Sequence, residues 1–274
     1  MLIDTHAHVN FKDFKDDKSE VIRRSLDNNI WMINVGSQFS TSERAVKIAE
    51  EYEEGVYVAV GLHPVHLSSH PFHDQVDDQE DVEFTPRSEN FEKEKYQKLA
   101  KNEKVVAIGE VGLDYFHDQD NIELQQKVFA EQINLACELN LPVIVHCREA
   151  NEDVLSVLGK KKQEFGESLR GIIHCFSGNL DQAKQYNKLG FLLGFNGIIT
   201  FTREYDEIIQ EISLENMVVE TDCPYLTPVP FRGKRNEPLY VEYVAHKIAE
   251  IKEITLKEVA EVTTQNARNL FDLS

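Results

Sequence analysis

The sequence predicts an α/β protein folded as one (β/α)8 (TIM) barrel. Eight short runs rich in Val, Ile and Phe alternate with longer amphipathic or polar stretches along the chain. The 274 residues suit a fold that fills about 250. No Gly-x-Gly-x-x-Gly follows the first run, which disfavours a doubly wound open sheet. No short internal repeat is present, so the expected organisation is one domain over residues 1–274.

The first strand is Ile3-Asp4-Thr5-His6-Ala7-His8, followed by a helix over about 16–28. The second strand runs from Ile30 through Val35, a helical stretch over about 42–53 follows, and the third strand spans 56–61. Residues 105–110 read as the fourth strand. Phe129, Ile133, Ala136 and Leu139 recur at helical spacing after it. Pro142 ends that helix and opens the fifth strand, Val143-Ile144-Val145-His146. A helical region over 152–163, a sixth strand at 171–174 and a helix near 181–189 come next. The seventh and eighth strands are 191–195 and 217–222, and two helices finish the chain, the second opened by the capping box Thr255-x-x-Glu258. Between the third and fourth strands, at about 66–94, an acidic insertion interrupts the rhythm. It carries Asp74, Asp77, Asp78, Glu80, Asp81, Glu83, Glu89 and Glu92. A solvated loop or surface helix is expected there. Its histidines, His66, His70 and His73, suit adventitious metal rather than a built site.

Composition narrows the function classes. A formal net charge of −19 disfavours long-range attraction to a polyanion, so a sliding or histone-like DNA binder is not expected. A local cleft that takes in one nucleic-acid end is compatible with that charge. The chain has no apolar run of membrane-spanning length and no basic-then-apolar leader pattern, so a cytoplasmic protein without membrane contact is expected. Four cysteines form no CxxC, and reduced thiols are the expectation. Cys147, Cys175 and Cys223 each follow a candidate ligand, so strand alternation turns their sulfurs toward the helices.

The polar residues expected at the C-terminal strand ends form a constellation. Strand one gives His6 and His8, strand four Glu110, strands five and six His146 and His174, and strand eight Asp222. In a barrel these ends surround one mouth, where active sites of the fold lie. Four imidazoles and two carboxylates suit two divalent ions with one carboxylate between them. Each residue alone reads as an ordinary buried polar group. Six in register do not, because that many buried ionisable groups need partners. Arg148 lies two residues beyond His146, on the same face if the strand continues, and its guanidinium fork suits a phosphate. His117 and Asp114 are expected in the loop after the fourth strand, as substrate contacts. Arg232, Lys234 and Arg235 offer a small basic rim, and Glu220 is expected to hydrogen-bond within the barrel.

Several stretches together resemble the TatD family of metal-dependent deoxyribonucleases, within the amidohydrolase-like barrels. They are Ile3-Asp4-Thr5-His6-Ala7-His8, Gly61-Leu62-His63-Pro64, Ile108-Gly109-Glu110-Val111-Gly112-Leu113-Asp114-Tyr115 and the segment from Leu141 to Ala150. Ile173-His174-Cys175-Phe176-Ser177-Gly178, the segment from Val219 to Leu226, and Gly233-x-x-Asn236-x-Pro238 complete the set. The resemblance implies one metal on His6, His8, Glu110 and Asp222, and another on Glu110, His146 and His174, with Glu110 bridging. It implies Mg2+, Mn2+ or Zn2+ as the cations, and it adds His63 as a phosphate contact. The acidic stretch after Pro71 departs from the compact family pattern and bears on substrate access.

The expected activity is therefore phosphodiester hydrolysis at DNA (or RNA) ends by a monomer, as a 3′–5′ exonuclease, with Glu110 and Asp222 as catalytic residues. Asp222 would orient or deprotonate the attacking water. The residues alone reach a binuclear metal hydrolase; the phosphodiester comes from the resemblance. A deacylase, lactonase or amidohydrolase on the same metals is the first alternative, and a non-catalytic scaffold using the acidic segment is the second.

Overall fold

In a strand, successive side chains face opposite ways, so two apolar sets along one strand mean two buried faces. The strands of this chain carry both sets. The computed structural model describes residues 1–68, 72–74, 82–84 and 87–273. Among them, β1 (Leu2–Ala7), β2 (Ile30–Val35), β3 (Val56–Val60), β4 (Phe72–Asp74), β5 (Val82–Phe84), β6 (Val105–Asp114), β7 (Val143–Arg148), β8 (Gly171–Ile173), β9 (Phe191–Phe195) and β10 (Met217–Val219) are strands. Eight of them make one parallel sheet in the order β1-β2-β3-β6-β7-β8-β9-β10. The sheet curls until β1 meets the end of β10. There the Asp222 N–H donates to the His6 carbonyl at 2.8 Å, and the His8 N–H donates to the Cys223 carbonyl at 2.9 Å. Asp4, buried between them, accepts from the Thr221 N–H at 2.8 Å and from its hydroxyl at 2.6 Å.

Helices α1 (Lys18–Asp27), α2 (Phe39–Ala49), α3 (Lys93–Leu99), α4 (Ile122–Glu138), α5 (Asn151–Phe165), α6 (Leu180–Lys188), α7 (Asp206–Glu211), α8 (Val241–Lys252) and α9 (Leu256–Phe271) fill the crossovers and the C-terminus. The Thr255–Glu258 box caps α9 reciprocally. One apolar cluster joins strand residues such as Met32, Val58, Val145 and Leu193 to helix residues such as Phe129 and Tyr186. The other lies inside the barrel: Ile3, Trp31, Ile33, Ala59, Ala107, Ile144, Ile172 and Val218 meet there. Leu270 and Phe271 of α9 join this inner cluster.

Two bulges reset the alternation at the site. On β1, Asp4 pairs with Met32 and Ala7 with Asn34, three residues against two. On β6, Ile108 pairs with Val143 and Val111 with Val145, again three against two. One extra residue flips the face of everything after it. Strict alternation from Ile3 and Ala107 would send His6, His8 and Glu110 toward the helices; the bulges turn them into the barrel. Beyond the second bulge, Val111 and Leu113 join the helix-side cluster.

The elements differ from expectation in four places. The fourth barrel strand continues to Asp114, so Asp114 ends β6 rather than lying in a loop. The ladder of β10 stops at Val219, and Asp222 turns at a left-handed φ of +57°. Helix α2 starts at Phe39, not near residue 42, because Thr41 Oγ1 accepts from the N–H groups of Ser37 at 2.9 Å and Gln38 at 3.0 Å. Within the expected acidic loop, β4 and β5 pair as an antiparallel hairpin and α3 follows. The side chains of residues 69–86, and so His70, His73 and the acidic residues among them, lie outside the described residues.

Candidate metal centre

Glu110 is the hub of the mouth, and its two oxygens face different sets of imidazoles. Oε2 lies 3.4 Å from Nε2 of His6 and 3.9 Å from Nε2 of His8. Oε1 lies 2.9 Å from Nδ1 of His146, 3.4 Å from Nε2 of His63 and 3.8 Å from Nε2 of His174. Asp222 closes the other side, with Oδ1 3.4 Å from Nε2 of His8 and Oδ2 3.9 Å from Nε2 of His174. Among the described residues, three trios have donor atoms within 4.8 Å of one another: His6, His8 and Asp222; His6, Glu110 and His174; and His63, Asp114 and His146. The structure thus brings together all six residues named as metal ligands. It also puts His63 against Glu110 and His146, whose rings lie 4.2 Å apart.

Neighbouring groups fix which nitrogen of each ring looks inward. His8 Nδ1 donates to the Val35 carbonyl at 2.9 Å, so its Nε2 carries the lone pair. His174 Nδ1 faces the Glu220 carboxylate at 2.9 Å, which leaves its Nε2 for the centre. The Cys175 N–H holds the same Glu220 oxygen at 2.7 Å. His6 Nε2 sits 3.1 Å from His8 Nε2, and the His6 ring stacks on His174 at 3.5 Å between centroids. Imidazole lone pairs and carboxylate oxygens therefore converge in a nearly water-free space. That arrangement is costly for the bare protein and fits divalent cations.

The charges of the groups follow from this crowding. Burial alone would raise the Glu110 and Asp222 carboxyls, but the surrounding imidazoles hold both below the usual range. Burial and the neighbouring His174 lower His6; burial and His146 lower His63. Burial opposes charge on His146 and His174 as well, yet the carboxylates beside them win, raising them to about 9 and about 10.

A second layer leads from the centre to the rim. Asp114, 1% exposed, presents Oδ2 to His146 Nε2 at 3.1 Å and to His117 Nδ1 at 2.7 Å. His117 Nε2 in turn lies 3.5 Å from Arg148 Nη1. Strand β7 does continue to Arg148, which pairs in register with Asp114. His117 and Arg148 therefore stand nearer the opening, while Asp114 holds two imidazoles from beneath. Of the basic rim, Arg235 is tied to Asp17 and Glu237, and Arg232 donates to the Thr227 carbonyl. Cys147 and Cys223 lie in the helix-side core, Cys175 is partly exposed, and all four cysteines are free thiols. Sequence reasoning placed Glu220 in the barrel but missed its hold on His174; its spacing from Asp222 was the available signal.

Comparison with known proteins identifies the family of the chain. The model of the TatD related DNase family matches residues 3–272. A metal-dependent hydrolase of Bacillus subtilis, YabD, is 43% identical over all of both chains. The Escherichia coli metal-dependent hydrolase YcfH is 33% identical over 99% of this chain and 96% of its own. The crystal structure of YjjV, a TatD homologue from E. coli, superposes with a TM-score of 0.85 at 29% identity, covering 100% of this chain and 98% of that one. No helix among the described residues is long and apolar enough to cross a membrane. The chain belongs to the TatD family of metal-dependent hydrolases.

Proposed function

We propose that this protein hydrolyses phosphodiester bonds at DNA ends, RNA being a second substrate, as a 3′–5′ exonuclease with two divalent cations. The observation that carries the reading is Glu110, whose two oxygens face separate imidazole groups across one carboxylate. His6, His8, Glu110 and Asp222 would hold one cation, and Glu110, His146 and His174 the other; Mg2+, Mn2+ and Zn2+ all suit these donors. When bound, such a pair lowers the pKa of a water and neutralises charge on a phosphate. The protein is proposed to act as a monomer.

The protein's own groups do the rest. Asp222, held anionic and half-buried, accepts the proton as the water oxygen bonds to phosphorus. The P–O3′ bond then breaks, O3′ of the shortened strand takes up a proton from solvent, and the terminal nucleotide leaves with its 5′-phosphate. Arg148 and His117 at the rim, and His63 beside Glu110, take the phosphate oxygens that face away from the cations. Asp114 fixes both His117 and His146, so it acts on substrate through them.

The test is cleavage of 5′-labelled single-stranded DNA with Mg2+, Mn2+ or Zn2+, with EDTA, and beside Asp222→Ala and Glu110→Ala. The expected result is a metal-dependent ladder shortening from the 3′ end and lost in both variants. No cleavage by the metal-loaded protein, with turnover of acyl or amide substrates instead, would replace this reading with a deacylase.

A further inference from the structure

A chain of net charge −19 has no long-range field with which to gather a polyanion. Its grip on a nucleic acid must come from short-range contacts at the mouth. Two exposed aromatic–arginine pairs stand there. The most exposed phenylalanines among the described residues are Phe116, at 47%, and Phe201, at 41%. Both stand past the C-terminal ends of barrel strands, and both carry an arginine over the ring. The Arg148 guanidinium lies 4.1 Å from the Phe116 centroid, and that of Arg232 lies 3.9 Å from the Phe201 centroid.

Each pair bridges neighbouring strand ends. Phe116 follows β6 by two residues and Arg148 ends β7. Phe201 follows the turn Gly197–Thr200 after β9, and Arg232 lies in the segment after β10. The second pair is fastened to its surroundings: the Val229 N–H donates to Thr200 Oγ1 at 3.0 Å, and Arg232 Nη1 donates to the Thr227 carbonyl at 3.2 Å. The sector between the pairs is β7, β8 and β9, which supplies His146 and His174. Three strand spacings separate them, about 14 Å along the sheet. An exposed phenylalanine under a guanidinium gains far less than burial in a core would give, whereas a π face beside a cation suits a nucleobase with its phosphate.

We propose that the Phe116–Arg148 and Phe201–Arg232 pairs are two base-stacking subsites that hold unpaired nucleobases on either side of the phosphate presented to the metal centre. The proposal rests on the phosphodiesterase reading and adds how the strand is held. Each ring takes the face of a base, and each guanidinium takes the adjoining phosphate. Bases inside a duplex have both faces covered, so these subsites select unpaired ends. The rings read no base edge and are tolerant of sequence.

The experiment uses the full chain with a short single-stranded oligodeoxynucleotide carrying the fluorescent base 2-aminopurine beside its 3′-terminal phosphodiester. Stacking quenches this base. The wild type is expected to quench it on binding. The fluorescent base is placed on one side of that phosphodiester and then on the other. Phe116→Ala and Phe201→Ala are each expected to lose most of the quench at one of the two positions and to raise KM about tenfold or more. Phe116→Tyr, which keeps the ring, restores both. The variants' penalty is also expected to vanish on an oligonucleotide with base-free sugars at the same positions. Equal quench and equal KM in the wild type and both alanine variants would overturn the subsites, as would a penalty that persists without bases. The two readings fail separately. Cleavage that ignores both rings removes the subsites and keeps the nuclease; ring-dependent quenching without cleavage does the reverse.

Discussion

The Glu220 carboxylate lies wholly buried with Oε1 2.9 Å from Nδ1 of His174. The neighbouring strand β9 makes room for it, since a Cβ on Gly194 would come 2.5 Å from Glu220 Oε2. Such a carboxylate fixes the ring's tautomer and makes its other nitrogen a better ligand. Glu220→Gln keeps the shape and an acceptor for the Cys175 N–H while removing the charge. Metal affinity is expected to fall about 10- to 100-fold with the fold intact. Competitive metal titration alongside circular dichroism checks this; unchanged affinity would leave Glu220 a packing residue.

Metal should stabilise the barrel as well as serve its chemistry. At a free cation concentration a hundredfold above Kd, binding to the native state alone adds about 2.7 kcal/mol, which for a chain of this size raises Tm by about 5–10 °C. Differential scanning calorimetry with Mn2+ and then with excess EDTA reads the difference. Coincident transitions would contradict a cation held among His6, His8, His174, Glu110 and Asp222.

Acid should weaken the fold through His66 before it reaches most carboxylates. Burial lowers this imidazole from its ordinary 6.5 to about 4, and it sits with Nε2 3.3 Å from Ser37 Oγ. The unfolded chain takes up the proton near 6.5 and the folded one only near 4. Between those values the unfolded state binds more protons, so stability is complete above pH 6.5 and falls as pH drops, by about 3 kcal/mol at pH 4. Urea midpoints measured across this window should be flatter in His66→Gln than in the wild type.

Gly112 cannot be replaced without breaking the β6–β7 pair. Its φ is +150°, and an added Cβ would overlap the carbonyl oxygen of His146, its partner in register. Gly112→Ala is expected to destabilise by about 4 kcal/mol or more, measured by urea unfolding. A loss near 1 kcal/mol, the ordinary cost of a substitution, would show that the strand can shift.

Much of this protein is written plainly in the chain. The eight Val- and Ile-rich runs specify the barrel because buried parallel strands need apolar residues on both faces. The residues after each run name the donors, since strand ends converge at one mouth. The long fourth strand was not legible, because its continuation past Glu110 depends on pairing with β7, which lies far along the chain. Likewise, Phe116 and Phe201 look like any core phenylalanine until their exposure is seen.

By itself the sequence determined the barrel and the identity of the donors. Only the tertiary structure decided which way they face. Counting by twos from Ile3 or Ala107 turns His6 and Glu110 away from the barrel, and the two bulges turn them back. The position of a bulge depends on pairing between strands far apart in sequence, and local composition does not encode it. The same long-range pairing set Asp114 beneath His146 and divided the imidazoles between the two oxygens of Glu110.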